Sequence, residues 1–244
     1  DIFGRRPLSV ELQIDMPLEL VNIRAMFERV SFQETDNIVK FILQYSKGNL
    51  ERNSATLLST RSIENINVLP DKSQNLLINL HLLNDIRRLN QYMIACSDKI
   101  KPGGMLFGCF IPLARDRQRL RSKMPKLIFK IIYPFYFMFY RILPKLPKIR
   151  HLYFILTKGT GRVVSKAEML GRLSFCGYKV TAEKIIDNTL YFIAQKLSTI
   201  STEKEPSYSS IVRLKRVGLD GNLINIYKFR TMHPYSEFIQ REIF

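Results

Sequence analysis

Apolar residues recur at helical spacing in the second quarter of the chain. The residues separated by intervals of four and three are Leu82, Ile86, Leu89, Met93, Cys96 and Ile100. They form one face of a helix that we place at 84–100, with Asn84 as its N-cap and Pro102-Gly103-Gly104 as its stop. Short apolar runs at 75–80 and 105–110 predict buried strands on either side. A strand, a helix and a strand in this order predict a parallel βαβ unit.

The rest of the first 200 residues gives a similar alternation of elements. Thr35 to Lys47 predicts an amphipathic helix closed by Gly48, and 55–59 predicts a short strand. Ser165 and Glu168 form a capping box at the start of a helix over 166–176. Runs at 178–186 and 190–195, joined by a turn at 187–188, predict an antiparallel pair. Residues 18–30 predict a helix from a looser pattern.

Two alternating runs near the end predict a β-hairpin, with strands at 211–217 and 223–230 around Asp220-Gly221. Lys228 and Arg230 are two residues apart, so they share one face at a separation of about 6–7 Å. Two cations at that spacing suit a diphosphate. A solvated cationic face explains the same spacing, and both interpretations stay open here.

Charge and composition narrow the class of protein. The chain has 244 residues, 46% of them hydrophobic, and a formal net charge of +17, which is typical of a globular protein with a polyanionic partner. The segment Arg115–Lys166 contains fourteen Lys or Arg residues and one acid, Asp116. The three cysteines and three histidines lie far apart, so neither a disulfide framework nor a metal site is expected.

Within this basic segment, 127–143 is apolar almost all round and contains Pro134. Lys130 and the proline make it a poor spanning helix, whereas a helix lying in the membrane interface avoids burying the charge. Basic residues on both sides favour an anionic membrane surface as the partner. Nucleic acid is disfavoured, because the aromatic residues cluster in one apolar block and are not interleaved singly among the cations. A helix buried as a lid of the same domain is the alternative. The predicted membrane-contact residues are Lys126, Phe129, Lys130, Tyr133, Phe135, Phe137 and Arg141.

The element order at 75–196 resembles the C-terminal half of class I methyltransferases. The resemblance implies an α/β fold of Rossmann type, with a mostly parallel sheet and helices on both faces. That family binds S-adenosylmethionine on a Gly-rich loop after its first strand. In residues 1–100 of this sequence the only glycines are Gly4 and Gly48. We therefore expect a degenerate methyltransferase-like domain that binds no S-adenosylmethionine.

The string Arg216-Val217-Gly218-Leu219-Asp220-Gly221, followed by Ile226-Tyr227-Lys228-Phe229-Arg230-Thr231-Met232, resembles the opening motif of bacterial sugar transferases. This family consists of polyprenyl-phosphate glycosyl-1-phosphate transferases of exopolysaccharide biosynthesis. The resemblance implies a nucleotide sugar, a polyprenyl phosphate, Mg²⁺ and the cytoplasmic face of the bacterial inner membrane. It also implies that Arg216, Lys228 and Arg230 face phosphate while Gly218 and Gly221 shape the turn.

The family's catalytic Asp-Glu pair has no counterpart before Phe244, so the catalytic residues stay unknown and these 244 residues alone are expected to be inactive. We divide the chain into an N-terminal segment (1–30), a methyltransferase-like domain (31–197) with an insertion (111–164), a linker (198–208) and the start of a sugar-transferase domain (209–244). The leading prediction is thus part of a membrane-associated sugar transferase. The alternatives are an S-adenosylmethionine-dependent methyltransferase and a non-catalytic membrane- or polyanion-binding module.

Overall fold

A computed structural model of the protein describes residues 35–45, 55–146, 149–197 and 211–239. The predicted N-terminal segment 1–30, with its helix at 18–30, and the predicted linker 198–208 lie outside the described residues. The described part contains a five-stranded mixed sheet with helices on both faces and a separate two-stranded hairpin. The expected fold class is thereby confirmed.

The helices and strands of the described residues follow the predicted order closely. The helices are α1 (Thr35–Tyr45), α2 (Ile63–Asn67), α3 (Leu89–Lys99), α4 (Leu113–Ser122), α5 (Lys126–Phe137), α6 (Arg150–Thr157) and α7 (Lys166–Phe175). The strands are β1 (Ala55–Leu58), β2 (Gln74–Leu82), β3 (Ile100–Phe110), β4 (Tyr178–Ile186), β5 (Thr189–Lys196), β6 (Ile211–Val217) and β7 (Leu223–Phe229).

The sheet has the order β1-β2-β3-β5-β4. β1, β2 and β3 run parallel to one another, as the predicted βαβ unit requires. β5 lies between β3 and β4 and runs antiparallel to both. The carboxyl ends of the three parallel strands therefore meet at one edge of the sheet.

Strand alternation divides the core into two layers, one on each face of the sheet. Leu76 and Ile78 of β2 pack on the side of α1. Leu77 of the same strand packs on the opposite side, against α3 and α7. All three residues are fully buried, which explains why β2 reads as a continuous apolar run and not as an alternating one.

The turn between α3 and β3 differs from the expectation, since β3 begins at Ile100 and includes the Pro-Gly-Gly sequence. Gly104 sits where a Cβ atom would be 2.9 Å from the backbone oxygen of Asn75, so the close approach of β2 excludes a side chain. Gly103 has φ +78°, which favours glycine. These glycines thus lie inside β3 and allow it to pair with β2, whereas α3 has already ended at Lys99.

The start of the predicted helix at 84–100 also differs. A 3-10 turn occupies Leu83–Asp85, and α3 begins at Leu89. The side chain of Asn84 does not cap the helix, because its amide donates to the backbone oxygens of Ile111 and Arg162. A long-range contact has therefore replaced the predicted local one.

The inserted segment follows β3 and consists of α4, α5 and α6. Pro134 lies inside α5, and the chain continues from this helix through a π-turn at Met138–Ile142 and a 3-10 turn at Leu143–Lys145. The segment returns to the sheet at Val164, which forms a parallel bridge with Pro112 at the carboxyl end of β3. The insertion therefore begins and ends at the same edge of the sheet.

Candidate functional site

The carboxyl edge of β1, β2 and β3 carries a buried polar network. The amide nitrogen of Asn79 donates to the backbone oxygen of Thr60 at 3.0 Å and to the hydroxyl of Tyr92 at 2.8 Å. Asn79 Oδ1 accepts from the backbone N–H groups of Thr60 and His81, both at 3.1 Å. This network fixes the ends of β1 and β2 relative to each other and to α3.

The end of the insertion is attached to the same edge. The backbone N–H of Gly161 donates to Asp85 Oδ1 at 2.5 Å, and the guanidinium of Arg162 donates to the backbone oxygen of Ile86. Burial lowers the pKa of Arg162 to about 10. Gly159 has φ +81° and lies against Arg87, where a Cβ atom would be 2.8 Å from the Arg87 Cβ. The returning loop therefore borders the carboxyl edge and holds its position there.

A second polar centre lies beneath the insertion, around the Glu168 carboxylate. Glu168 is 2% exposed and forms ion pairs with Arg141 at 3.1 Å, Lys145 at 3.1 Å and Arg172 at 3.2 Å. Burial alone would raise the pKa of the Glu168 carboxyl, but the three cations outweigh it and bring this pKa to about 2. Burial lowers the pKa of Lys145 to about 8. The cluster holds one negative charge against three positive ones.

The chain segment after the hairpin closes over α7. Asn90 donates to the Tyr235 hydroxyl at 2.7 Å, and the Arg172 guanidinium lies over the Tyr235 ring at 4.3 Å. His233 Nδ1 lies 3.3 Å from Ser165 Oγ and 3.5 Å from the Arg141 guanidinium. The charged cluster is therefore bordered by residues from three separate parts of the sequence.

The structure separates the predicted membrane-contact residues into two groups. Phe129 and Arg141 are 8% and 7% exposed, respectively, and point into the protein. The prediction that these two residues contact the membrane is wrong. Phe129 packs in a cluster with Leu120, and Arg141 is paired with Glu168. Lys126, Lys130 and Phe135 are exposed, and Tyr133 and Phe137 are half-buried.

The predicted phosphate-facing residues lie on the hairpin. Lys228 pairs with Val212 and Arg216 pairs with Ile224, so the two cations share a face but are four residues apart, or about 13 Å. Arg230 follows the last residue of β7. Phosphate contact by these residues stays a prediction.

The turn of the hairpin is wider than the predicted Asp-Gly turn. A 3-10 turn occupies Leu219–Gly221, and the Gly218 N–H donates to the Asn222 oxygen at 2.7 Å. Asp220 and Gly221 have φ values of +59° and +77°, which is the left-handed region that Asp and Gly tolerate. Gly218 and Gly221 therefore both lie in the turn that joins β6 to β7.

The cysteines do not have the environment of nucleophiles. Cys96, Cys109 and Cys176 are buried, and no disulfide joins any two of them. Burial raises the pKa of the Cys109 thiol to about 12 and that of Cys96 further still, so both stay protonated at neutral pH. In the described ranges, no group of three or more His, Cys, Asp or Glu side chains is placed to hold a metal ion.

Several solved structures similar to this chain are described as methyltransferases. One is a S-adenosylmethionine-dependent enzyme from Thermotoga maritima, a possible histamine N-methyltransferase, with 11% identity, 53% of this chain covered and a TM-score of 0.32. A second, from Mesorhizobium loti, has 12% identity, 53% of this chain covered and a TM-score of 0.32. A third, from Aquifex aeolicus, has 14% identity, 68% of this chain covered and a TM-score of 0.33. The chain spans 59%, 66% and 65% of their lengths. The likeness concerns the fold alone. No protein-family model and no curated protein matches the chain.

The prediction of a sugar transferase, with its glycosyl-1-phosphate transfer and exopolysaccharide role, is wrong. No family model of that kind matches, and the similar structures are described as methyltransferases. The motif is short, and its residues also suit an ordinary exposed hairpin with a left-handed turn. The resemblance therefore did not indicate the function. Nucleotide sugar and polyprenyl phosphate as partners, and the inner-membrane location, stay untested predictions.

The cofactor prediction of Mg²⁺ without S-adenosylmethionine is wrong as well, since the similar proteins are described as dependent on S-adenosylmethionine. It rested on one loop type being missing from residues 1–100. The absence of this glycine pattern says nothing about other polar groups, and those of Thr60, Asn79, His81 and Asp85 lie along the carboxyl edge. None of these four was predicted as a site residue, because a strand end becomes a site only when neighbouring strands are known.

Proposed function

We propose that this chain is an S-adenosylmethionine-dependent methyltransferase whose ligands bind at the carboxyl edge of β1, β2 and β3. The observation that carries the proposal is the sheet itself, with three parallel strands ending at one edge and β5 running antiparallel between β3 and β4. In open α/β sheets, ligands bind outside the carboxyl ends of the strands. The fold alone does not give the activity, so the side chains at this edge have to suit the ligand.

The chemistry of these side chains fits such a ligand. His81 at the end of β2 and Asp85 in the following turn are half-buried, so they lie at the boundary between the core and solvent. An imidazole and a carboxylate suit ribose hydroxyls, an amino group and the positive charge of a sulfonium. Asp85 uses Oδ1 for the Gly161 N–H, which fixes the orientation of its carboxylate.

The residues behind this pair act by holding it in place. Thr60, Asn79 and Tyr92 are 3%, 1% and 1% exposed, and their mutual hydrogen bonds fix the strand ends. Asn79 also orients the backbone at His81. When bound, S-adenosylmethionine supplies an electrophilic methyl group. His81 is then the candidate acceptor for the proton that an attacking hydroxyl or amine releases.

Calorimetric titration with S-adenosylhomocysteine tests the proposal, because this product binds without turnover. We expect a dissociation constant on the order of micromolar, or about −8 kcal/mol of binding free energy. Asp85→Asn keeps the Oδ1 acceptor for Gly161 and is expected to weaken binding. Asp98→Asn, at the exposed carboxyl end of α3, is the matched control and is expected to leave binding unchanged. Absence of binding to the wild-type protein would overturn the proposal.

A further inference from the structure

The inserted helix α5 leaves a broad apolar stripe in solvent. Its exposed apolar side chains, with the one that follows the helix, are Leu127, Ile128, Ile131, Ile132, Phe135 and Met138. Leu127 and Phe135 are each 73% exposed and Ile131 is 60% exposed. Large contiguous apolar surfaces on a protein mark sites of interaction. This set is called the α5 stripe below.

The opposite face of α5 is fixed to the protein. The Tyr136 hydroxyl donates to Asp116 Oδ2 at 2.7 Å, and Phe129 packs against Leu120 and Val163. Beyond the helix, the Arg141 guanidinium donates to the backbone oxygen of Val163 at 2.8 Å. The α5 stripe therefore cannot turn inward without breaking buried polar contacts, and it faces outward in the folded protein.

A second exposed stripe lies on α6 and the residue before it. Its members are Ile149, Leu152, Ile155 and Leu156, of which Ile155 is 73% exposed. Tyr153 on the other face is 1% exposed, and its ring meets Phe139 edge-on at 5.4 Å. Two helices of one inserted segment thus each bury an aromatic side chain and leave apolar side chains exposed on the other face.

The charge around these two stripes indicates which kind of partner they bind. The sequence from Arg115 to Lys166 contains fourteen basic residues and one acid, Asp116, which is 2% exposed and paired with Arg119. Three of the fourteen, Arg141, Lys145 and Lys166, pair with acids outside this range. Arg121, Lys123, Lys126 and Lys130 are exposed beside the α5 stripe. Apolar groups bordered by exposed cations match the boundary between acyl chains and anionic headgroups.

Crossing the bilayer does not suit this segment, although the stretch Lys126–Lys145 is long and apolar enough to span one by length and composition. A spanning helix would bring Lys130 and Arg141 into the hydrocarbon, and it would separate Arg141 from Glu168. An orientation parallel to the membrane plane keeps both the ion pair and the exposed cations satisfied.

We propose that the α5 stripe, together with the α6 stripe, inserts into the interface of an anionic membrane while the sheet domain stays in water. The contact is peripheral and combines apolar insertion with attraction between the exposed cations and acidic lipid headgroups. This inference does not depend on the methyltransferase proposal, because it uses none of the residues at the carboxyl edge.

Sedimentation with vesicles of phosphatidylglycerol and phosphatidylcholine, compared with phosphatidylcholine alone, tests the proposal. Wild-type protein is expected to bind the anionic vesicles, and more weakly as salt rises. Ile131→Asp with Phe135→Asp is expected to reduce binding at least about tenfold, since it places two carboxylates against anionic headgroups. Leu152→Asp with Ile155→Asp reports separately on the α6 stripe. Val68→Asp is the control, because Val68 is 69% exposed and precedes β2 at the other edge of the sheet.

A fluorescence measurement covers the case in which a charged variant folds poorly. The chain contains no tryptophan, so Phe135→Trp and Val68→Trp each introduce one reporter. A blue shift with anionic vesicles for the Phe135 variant alone supports the proposal. The proposal would be overturned if all variants sedimented equally or if the wild type did not bind vesicles. It would also be overturned if the wild type were a dimer that the substitutions in α5 dissociate.

Discussion

Arg141 and Glu168 form an ion pair of 3.1 Å in which the side chains are 8% and 2% exposed. The pair joins the π-turn after α5 to the first turn of α7, so it connects the insertion to the sheet domain. Lys145 contacts the same carboxylate oxygen as Arg141, and Arg172 contacts the other one. A single carboxylate therefore holds three cations that come from three elements, the π-turn, the 3-10 turn and α7.

Removing this carboxylate should be strongly destabilising. In Glu168→Gln the neutral amide leaves three neighbouring cations without a counter-charge, and breaking a buried pair in this way costs about 3–5 kcal/mol. Urea unfolding at pH 7 measures the change. Glu183→Gln is the control, because Glu183 pairs with Lys166 at the surface and should cost at most about 1 kcal/mol. Equal losses for the two variants would contradict the central role of Glu168.

The same carboxylate predicts a pH dependence in acid. The pKa of Glu168 is about 2 in the folded protein and 4.5 ordinarily, so the unfolded chain takes up the proton first as the pH falls. The stabilisation is complete above pH 4.5 and is lost between pH 4.5 and 2, with a total on the order of 3 kcal/mol. Wild-type protein should lose this contribution in a series of urea titrations, whereas Glu168→Gln should not.

Lys145 predicts a second pH dependence of stability, in the alkaline range. Its pKa is about 8 in the folded protein and 10.5 ordinarily, because burial disfavours the ammonium. The folded protein releases this proton first, so the free energy of unfolding should rise as the pH increases from about 8 to 10.5. Comparison with Lys145→Met isolates this contribution, since the variant lacks the titrating group. An identical slope in the two proteins would contradict the assignment.

Gly171 allows the segment after the hairpin to approach α7. A Cβ atom on Gly171 would lie 2.1 Å from the backbone oxygen of Tyr235, so Gly171→Ala should displace the segment around Tyr235. The expected cost is about 1–3 kcal/mol, together with faster proteolysis at 233–239. Tyr235→Phe is the milder comparison, because it removes the hydrogen bond from Asn90 and keeps the aromatic ring. Unchanged proteolysis in Gly171→Ala would show that the segment does not depend on this contact.

Local patterns predicted most elements of the fold. The Ser165 half of the predicted capping box is present, since Ser165 Oγ accepts from the Glu168 N–H at 3.2 Å and α7 begins where expected. The position of the Glu168 carboxylate could not be predicted, because Arg141 and Lys145 reach it from the insertion. Asn84 shows the same limit, since its amide bonds Ile111 and Arg162 far along the chain.

The insertion illustrates what periodicity leaves undetermined. Residues 127–143 are apolar almost all round, so the pattern could not tell which face packs inward. Tyr136 and Arg141 decide it, because Asp116 and Glu168 give their polar groups buried partners. Phe129 was placed on the wrong face for this reason. The carboxyl-edge residues were missed because strand order, which brings Thr60 and Asn79 together, is a property of the whole sheet.

The most direct test of the proposed function is hydrogen–deuterium exchange with and without S-adenosylhomocysteine. Ligand bound at the carboxyl edge should slow exchange in the segments 59–62 and 80–86 and leave the hairpin at 211–229 unchanged. Asp85→Asn should reduce this protection at a fixed ligand concentration, by the equivalent of about 1.5–3 kcal/mol for a lost charged hydrogen bond. Protection in both edge segments is the result we predict. Protection confined to other parts of the chain, or none at saturating ligand, would contradict the assignment of this edge as the cofactor site.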